Sequence, residues 1–172
     1  MRKKHLVIYV IALIVLIGLN GCTEPPEPGR YSSPGNLFSM KLPQGWQGRR
    51  TVGAMLTLEN PDRKAVIKIM VLRFPQDKTL KEYIQEAERD DLYGKGIIEA
   101  RGKAEIDEVK GFWEIKRDQQ MIEGKVTYVK TLNYYLEKEG WIYIINFSAD
   151  EETLTNCMPV VKDCVQSFRF KK

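Results

Sequence analysis

Between residues 37 and 74 apolar side chains recur with a period of two. In LFSMKL, Phe38, Met40 and Leu42 fall on one face and Ser39 and Lys41 on the other, the pattern of a half-buried strand. VGAMLTLE places Val52, Ala54, Leu56 and Leu58 together. AVIKIMVLRF is apolar on both faces, with Ile67, Ile69 and Val71 opposing Met70, Leu72 and Phe74, which predicts a central strand covered on both sides. The period then changes. Thr79-Leu80-Lys81-Glu82 is a capping box, and Leu80, Tyr83, Ile84 and Ala87 follow at i, i+3, i+4 and i+7. An amphipathic helix ending near Leu92 is predicted, stopped by Gly94-Lys95-Gly96.

Four more strands are predicted in IIEARGKAEI, FWEIKRDQQ, KVTYVKTLNYYLE and WIYIINFS, with turns at Lys110-Gly111, Glu123-Gly124 and Glu139-Gly140. Asp150 is placed to cap a closing helix whose apolar stripe is Leu154, Cys157, Met158, Val161, Cys164 or Val165, and Phe168. Pro159 lies off that stripe, has no N–H to give the Thr155 carbonyl, and is expected to kink the helix. The order is three strands, a helix, four strands and a helix. Sequential hairpins imply an antiparallel sheet, and two amphipathic helices can cover its faces. The expected fold class is α+β: an αβα sandwich with a central, mainly antiparallel sheet, one domain over residues 36–172.

The first 22 residues follow another pattern. Arg2, Lys3 and Lys4 precede an apolar run from Leu6 to Leu19. Fourteen residues of helix span about 21 Å, against a hydrocarbon core of about 30 Å. That suits a secretory leader better than a permanent span. Leu19-Asn20-Gly21-Cys22 resembles the lipobox of bacterial lipoproteins, with an aliphatic residue three before the cysteine and a small one directly before it. Asn20 departs mildly from the Ala or Ser usual at its position. The resemblance implies that residues 1–21 are a signal peptide cleaved between Gly21 and Cys22. It also implies that the Cys22 thiol takes diacylglycerol and that the new amino group is acylated. Two or three acyl chains hold a protein on a bilayer stably where one holds it marginally. The alternative is an uncleaved anchor with an incidental Cys22. Sorting rules of enterobacterial lipoproteins retain proteins with Asp after the cysteine in the inner membrane. Thr23 departs from that, which implies the outer membrane, facing the periplasm, where a cell has two membranes. Residues 22–35, CTEPPEPGRYSSPG, are Pro-, Gly- and Ser-rich without an apolar period and read as a linker that carries the lipidated cysteine.

Composition narrows the function. Without the leader, 24 basic residues face 23 acidic ones over 151 residues, so nothing favours nucleic acid as a partner. The single histidine, His5, lies in the leader, which removes histidine-based nucleophilic catalysis, zinc ligation and haem ligation from the body. Cys157 and Cys164 stand about 10 Å apart along a continuous helix, beyond disulfide reach, and read as small core hydrophobes; a disulfide would need the helix to break at Pro159. The carboxylate pairs Asp90-Asp91, Glu105 with Asp107 and Glu108, and Glu151-Glu152 sit at turns and a helix start rather than on a shared face. No catalytic residue, metal site or cofactor is expected.

FSMKLPQGW, DKTLKEYIQEAERD, GFWEIKR, GWIYIINFSAD and MPVVKDCVQSFRF together resemble the PsbP-like family, which includes DcrB-like envelope lipoproteins. The resemblance covers residues 36–172 and implies the same αβα sandwich and an accessory or binding role rather than an enzyme. Trp113, Tyr128, Tyr134, Tyr135, Trp141 and Tyr143 cluster in three successive strands. They either fill space beneath the helices or form a recognition surface for an envelope protein or glycan. In Tyr134-Tyr135 the two rings must point to opposite faces. The leading expectation is a lipid-anchored, non-catalytic binding or accessory module. The alternative is a carrier of a small apolar ligand, with a cleft between sheet and helix of about 300 Å³ or more.

Overall fold

The computed structural model describes residues 29–89, 96–122 and 125–171. The leader, Gly21, Cys22 and the expected turn at Glu123-Gly124 lie outside the described residues. Among the described residues ten strands and two α-helices follow in chain order. They are β1 (Arg30–Ser32), β2 (Phe38–Lys41), β3 (Gln47–Thr51), β4 (Ala54–Glu59), β5 (Ala65–Arg73) and α1 (Leu80–Arg89). Then come β6 (Ile97–Ile106), β7 (Val109–Ile122), β8 (Lys125–Lys138), β9 (Trp141–Ala149), α2 (Glu151–Gln166) and β10 (Arg169–Phe170).

Seven strands form one antiparallel sheet in the order β3-β4-β5-β9-β8-β7-β6. It is two meanders, β3–β5 and β6–β9, joined where β5 pairs with β9 from Ala65↔Ala149 to Arg73↔Trp141. Alternation along β9 shows why the sheet is buried on both sides: Tyr143, Ile145 and Phe147 join one apolar cluster, Ile142 and Ile144 the other. The first cluster packs beneath α2 through Leu154, Val161, Cys164 and Val165. The second packs beneath α1 through Ile84, with Leu80 and Tyr83 at its margin. The fold is therefore α+β, with one helix on each face of an antiparallel sheet.

Both helix starts are made as the sequence dictates. The backbone N–H of Thr79 donates to Glu82 (2.8 Å) and the N–H of Glu82 donates to Thr79 Oγ1 (3.3 Å), closing the capping box. The N–H of Thr153 donates to Asp150 Oδ1 at 2.8 Å. α2 runs through Pro159 as one helix of 16 residues, so the break that a Cys157–Cys164 disulfide would need is absent and both thiols are free. The proline ring sits on the exposed side, where its lost hydrogen bond meets water.

Four details differ from expectation. Arg30–Ser32, assigned to the linker, pairs with β2, and β10 pairs with the other side of β2; the three make a second, small sheet. The folded body thus starts no later than residue 30 rather than 36, and RYS is too short to show a period. QGRRT forms β3, an edge strand, which needs no alternating apolar face. Val52, expected in the core, is fully exposed because Val52-Gly53 is the turn between β3 and β4, where Thr51 faces Ala54 and Gly53 takes φ +79°. The turn placed at Lys110-Gly111 is instead Asp107-Glu108, both with positive φ. Gly111 lies inside β7, where a Cβ would fall 2.0 Å from the Tyr135 carbonyl oxygen.

Candidate functional site

Residues opposite one another on neighbouring strands share a face, so the register brings distant residues into rows. Lys103, Phe112, Tyr135, Ile144 and Met70 form one row on the α1 face. Arg101, Glu114, Asn133 and Asn146 form the next. α1 packs over Met70, Tyr135, Ile142 and Ile144 and is only 10 residues long. Toward the β6 edge the face stays partly open, and Phe112 is 37% exposed.

A cleft of about 230 Å³ lies along that boundary. α1 contributes Lys81, Ile84 and Gln85 to its wall, and Phe112, Glu114 and Tyr135 face them from β7 and β8. Arg101 and Lys103 line it from β6. The floor is thin at Gly102: on the other face of the sheet the Trp113 ring lies so close that a Cβ on Gly102 would sit 2.7 Å from Trp113 Nε1.

At the base of the cleft Glu114 (3% exposed) and Lys116 (2% exposed) are buried as a pair, Lys116 Nζ standing 3.1 Å from Glu114 Oε1. The Tyr135 hydroxyl donates to the same oxygen at 2.8 Å, and Arg101 Nη2 donates to Oε2 at 3.3 Å. Three donors hold this carboxylate, which is what an ionised group needs to survive out of water. The polar row continues: Asn146 Nδ2 donates to Asn133 Oδ1 (2.8 Å) and Ser148 Oγ to Asn146 Oδ1 (3.0 Å). A carboxylate so engaged acts as a structural and electrostatic element of the cleft. The thiols are also quiet. Burial pushes Cys164 up to about 12 and, foremost among its causes, raises Cys157 as well, so both stay protonated at neutral pH. Both are free thiols, Cys164 buried and Cys157 half-buried. Among the described residues no group of three His, Cys, Asp or Glu side chains is arranged to hold a metal ion.

The six aromatics singled out from the sequence do not make one surface. Tyr135 (2% exposed) and Tyr143 (3% exposed) are core residues, on opposite faces of the sheet. Trp113, Tyr134 and Trp141 are half-buried against the α2-side cluster, and burial raises the Tyr134 hydroxyl above the usual phenol range. Trp141 also carries the Arg73 guanidinium 3.9 Å above its ring. Tyr128 alone is widely exposed, at 56%, its hydroxyl accepting from Gln119 Nε2 at 3.0 Å. The opposed orientation of Tyr134 and Tyr135 is as alternation requires. The cleft residues Arg101, Lys103, Phe112, Glu114 and Lys116 were not singled out. Phe112, Glu114 and Lys116 alternate on one side of FWEIKRD, but a side carrying two charges reads as solvent-facing until a helix is known to pass beside it.

An antiparallel meander with one helix on each face and a small sheet that brings β1 and β10 together on β2 is the PsbP-like fold. No protein-family model matches the chain, and no curated protein matches its sequence. Solved structures do. The cyanobacterial PsbP protein CyanoP of Synechocystis sp. PCC 6803 superposes with a TM-score of 0.60 at 14% identity, over 90% of this chain and 99% of that one. LpqN, involved in cell envelope biogenesis of Mycobacterium tuberculosis, gives 0.57 at 11% identity over 88% of each. The Saccharomyces cerevisiae Ran-binding protein Mog1p gives 0.58 at 13% identity, over 82% of this chain and 94% of that one.

Proposed function

We propose that this protein is a lipid-anchored, non-catalytic binding or accessory module of the bacterial envelope. The observation that carries the reading is LNGC at the end of a short, positively headed apolar run, with a folded body that begins by Arg30. Lipidation falls on Cys22 after cleavage behind Gly21. Eight residue steps then separate the lipid from β1, and a chain of that length spans no more than about 29 Å. The body is held near the headgroups, closer than a linker to residue 35 would allow. Among the described residues no helix is long and apolar enough to cross a membrane. Thr23 favours the outer membrane, facing the periplasm, in a cell with two membranes. The partners are envelope proteins or glycans. Neighbours in fold that carry binding or envelope roles, Mog1p and LpqN, lend support at the level of the fold.

The test is mass spectrometry of the mature amino terminus from native membranes, paired with labelling by an alkyne analogue of palmitate. Acylated Cys22 as the first residue is the expected result, with the label absent and the protein released by Cys22→Ser. An uncut chain, or a bare Cys22, overturns the anchor.

A second reading is the small-ligand carrier, for which the cleft beside α1 has the expected place between sheet and helix but less than the expected volume. At about 230 Å³ it is smaller than the pockets of about 300 Å³ and upward that enclose drug-sized molecules. Only a compact ligand fits.

A further inference from the structure

From the charges around the α1 cleft we propose that it binds a small monoanion with a compact apolar body, the body against Phe112 and Ile84 and the acid group between Lys81 and Lys103. This rests on the carrier reading of the cleft and is independent of what happens at Cys22.

Shape and charge point the same way. Ile84, Phe112 and the ring of Tyr135 supply an apolar wall in a cavity of about 230 Å³. That volume limits the guest to a short chain or a fused ring pair. Four cations, Lys81, Arg101, Lys103 and Lys116, stand at or beneath the cleft, against Glu114 as the one acid lining it among the described residues. Glu114 is satisfied by Lys116, Tyr135 and Arg101. The excess positive charge therefore belongs to Lys81 and Lys103, neither of which makes an ion pair among the described residues. An adjoining shallow depression provides a contrast on the same face. Lys103 lines both; with Lys110, Glu105 and Glu137 beside it the depression's lining carries no net charge, whereas the lining of the cleft is net positive. Charges at the rim of a low-dielectric cavity act more strongly than the same charges on an open surface, and they favour an anionic guest over a neutral or cationic one of the same shape.

Two kinds of molecule share this chemistry, aromatic acids and medium-chain fatty acids, and the experiment separates them. The full-length protein in detergent is titrated calorimetrically with 2-naphthoate, octanoate and 2-naphthylmethylammonium, and the site is located by methyl NMR of Ile84. One or both anions are expected to bind and to shift the Ile84 signal, with the cation at least tenfold weaker. Naphthoate alone identifies a ring acid and octanoate alone an acyl chain; either result supports the proposal. Lys81→Glu with Lys103→Glu, both at exposed positions, should weaken the anions at least tenfold. Phe112→Ala should weaken all probes while the circular dichroism spectrum is kept. If the cation binds as well as naphthoate, or the charge-reversed variant binds naphthoate unchanged, the ligand class is wrong while the cleft stands. If no probe moves Ile84 in the folded protein, the carrier reading itself falls.

Discussion

Glu114 and Lys116 are two residues apart on one strand, both almost wholly withdrawn from water. Removing one member of such a pair is costly because the other charge stays behind. The two members are not equivalent here. Glu114→Gln takes away the carboxylate that Lys116, Arg101 and the Tyr135 hydroxyl all share. It is expected to cost about 3 kcal/mol. Lys116→Met removes the ammonium but leaves Glu114 with Arg101 and Tyr135, and its cost should be distinctly smaller. Urea unfolding of the two variants measures the difference. Equal losses would mean that Arg101, half-exposed, contributes nothing to holding the carboxylate.

At the scale of elements, α2 depends on Asp150. The N–H of Thr153 donates to its carboxylate and is the first cause of a pKa below the ordinary aspartate range. Because the folded value is the lower one, the cap stabilises above the unfolded pKa of about 4 and is lost as pH falls through the folded value. Asp150→Ala should cost about 1 kcal/mol at pH 7, and its gap to the parent protein should narrow as the pH is lowered below about 4. Asp150→Asn keeps an acceptor and should cost less, with no such pH dependence. Chemical denaturation at pH 7, 4 and 3 checks both. Elements with a strong period or a cap were legible in the sequence: β5 as a central strand, both helix starts, and the long strands β6 to β9. The missed ones lack such signals for physical reasons. β1 and β10 have three and two residues, too few for alternation, and exist because β2 offers both of its edges. β3 is an edge strand of QGRRT. The cleft was foreseen as a place, between sheet and helix, but not as a set of residues. Its members become neighbours only through the register of β6, β7 and β8, and single-strand patterns do not encode register.

For the molecule as a whole, the small sheet is locked to the large one by rings. Phe168 stacks on Phe38 with centroids 4.8 Å apart, and Phe170 meets Tyr143 edge-on at 4.8 Å. Phe168 is completely buried just beyond the end of α2, so Phe168→Ala should cost about 4 kcal/mol. Amide exchange at Ser39 and Met40 in β2 should rise more than at Ile144 and Ile145 in β9. Uniform acceleration across both would mean that the two sheets unfold as a single unit.

That second sheet also decides where tension goes. β1 is the first described strand, and whatever fastens the amino terminus pulls on it before anything else. Three residue pairs with β2 hold it, helped by the Arg30 guanidinium on the Ser167 carbonyl and the Tyr31 hydroxyl on the Met55 carbonyl. The Tyr31 bond ties β1 to β4 of the large sheet, while its strand pairing is confined to the small one. A load on the amino terminus is expected to strip β1 from β2 first and free about 10 Å of extended chain, a mechanical fuse that spares the body behind it.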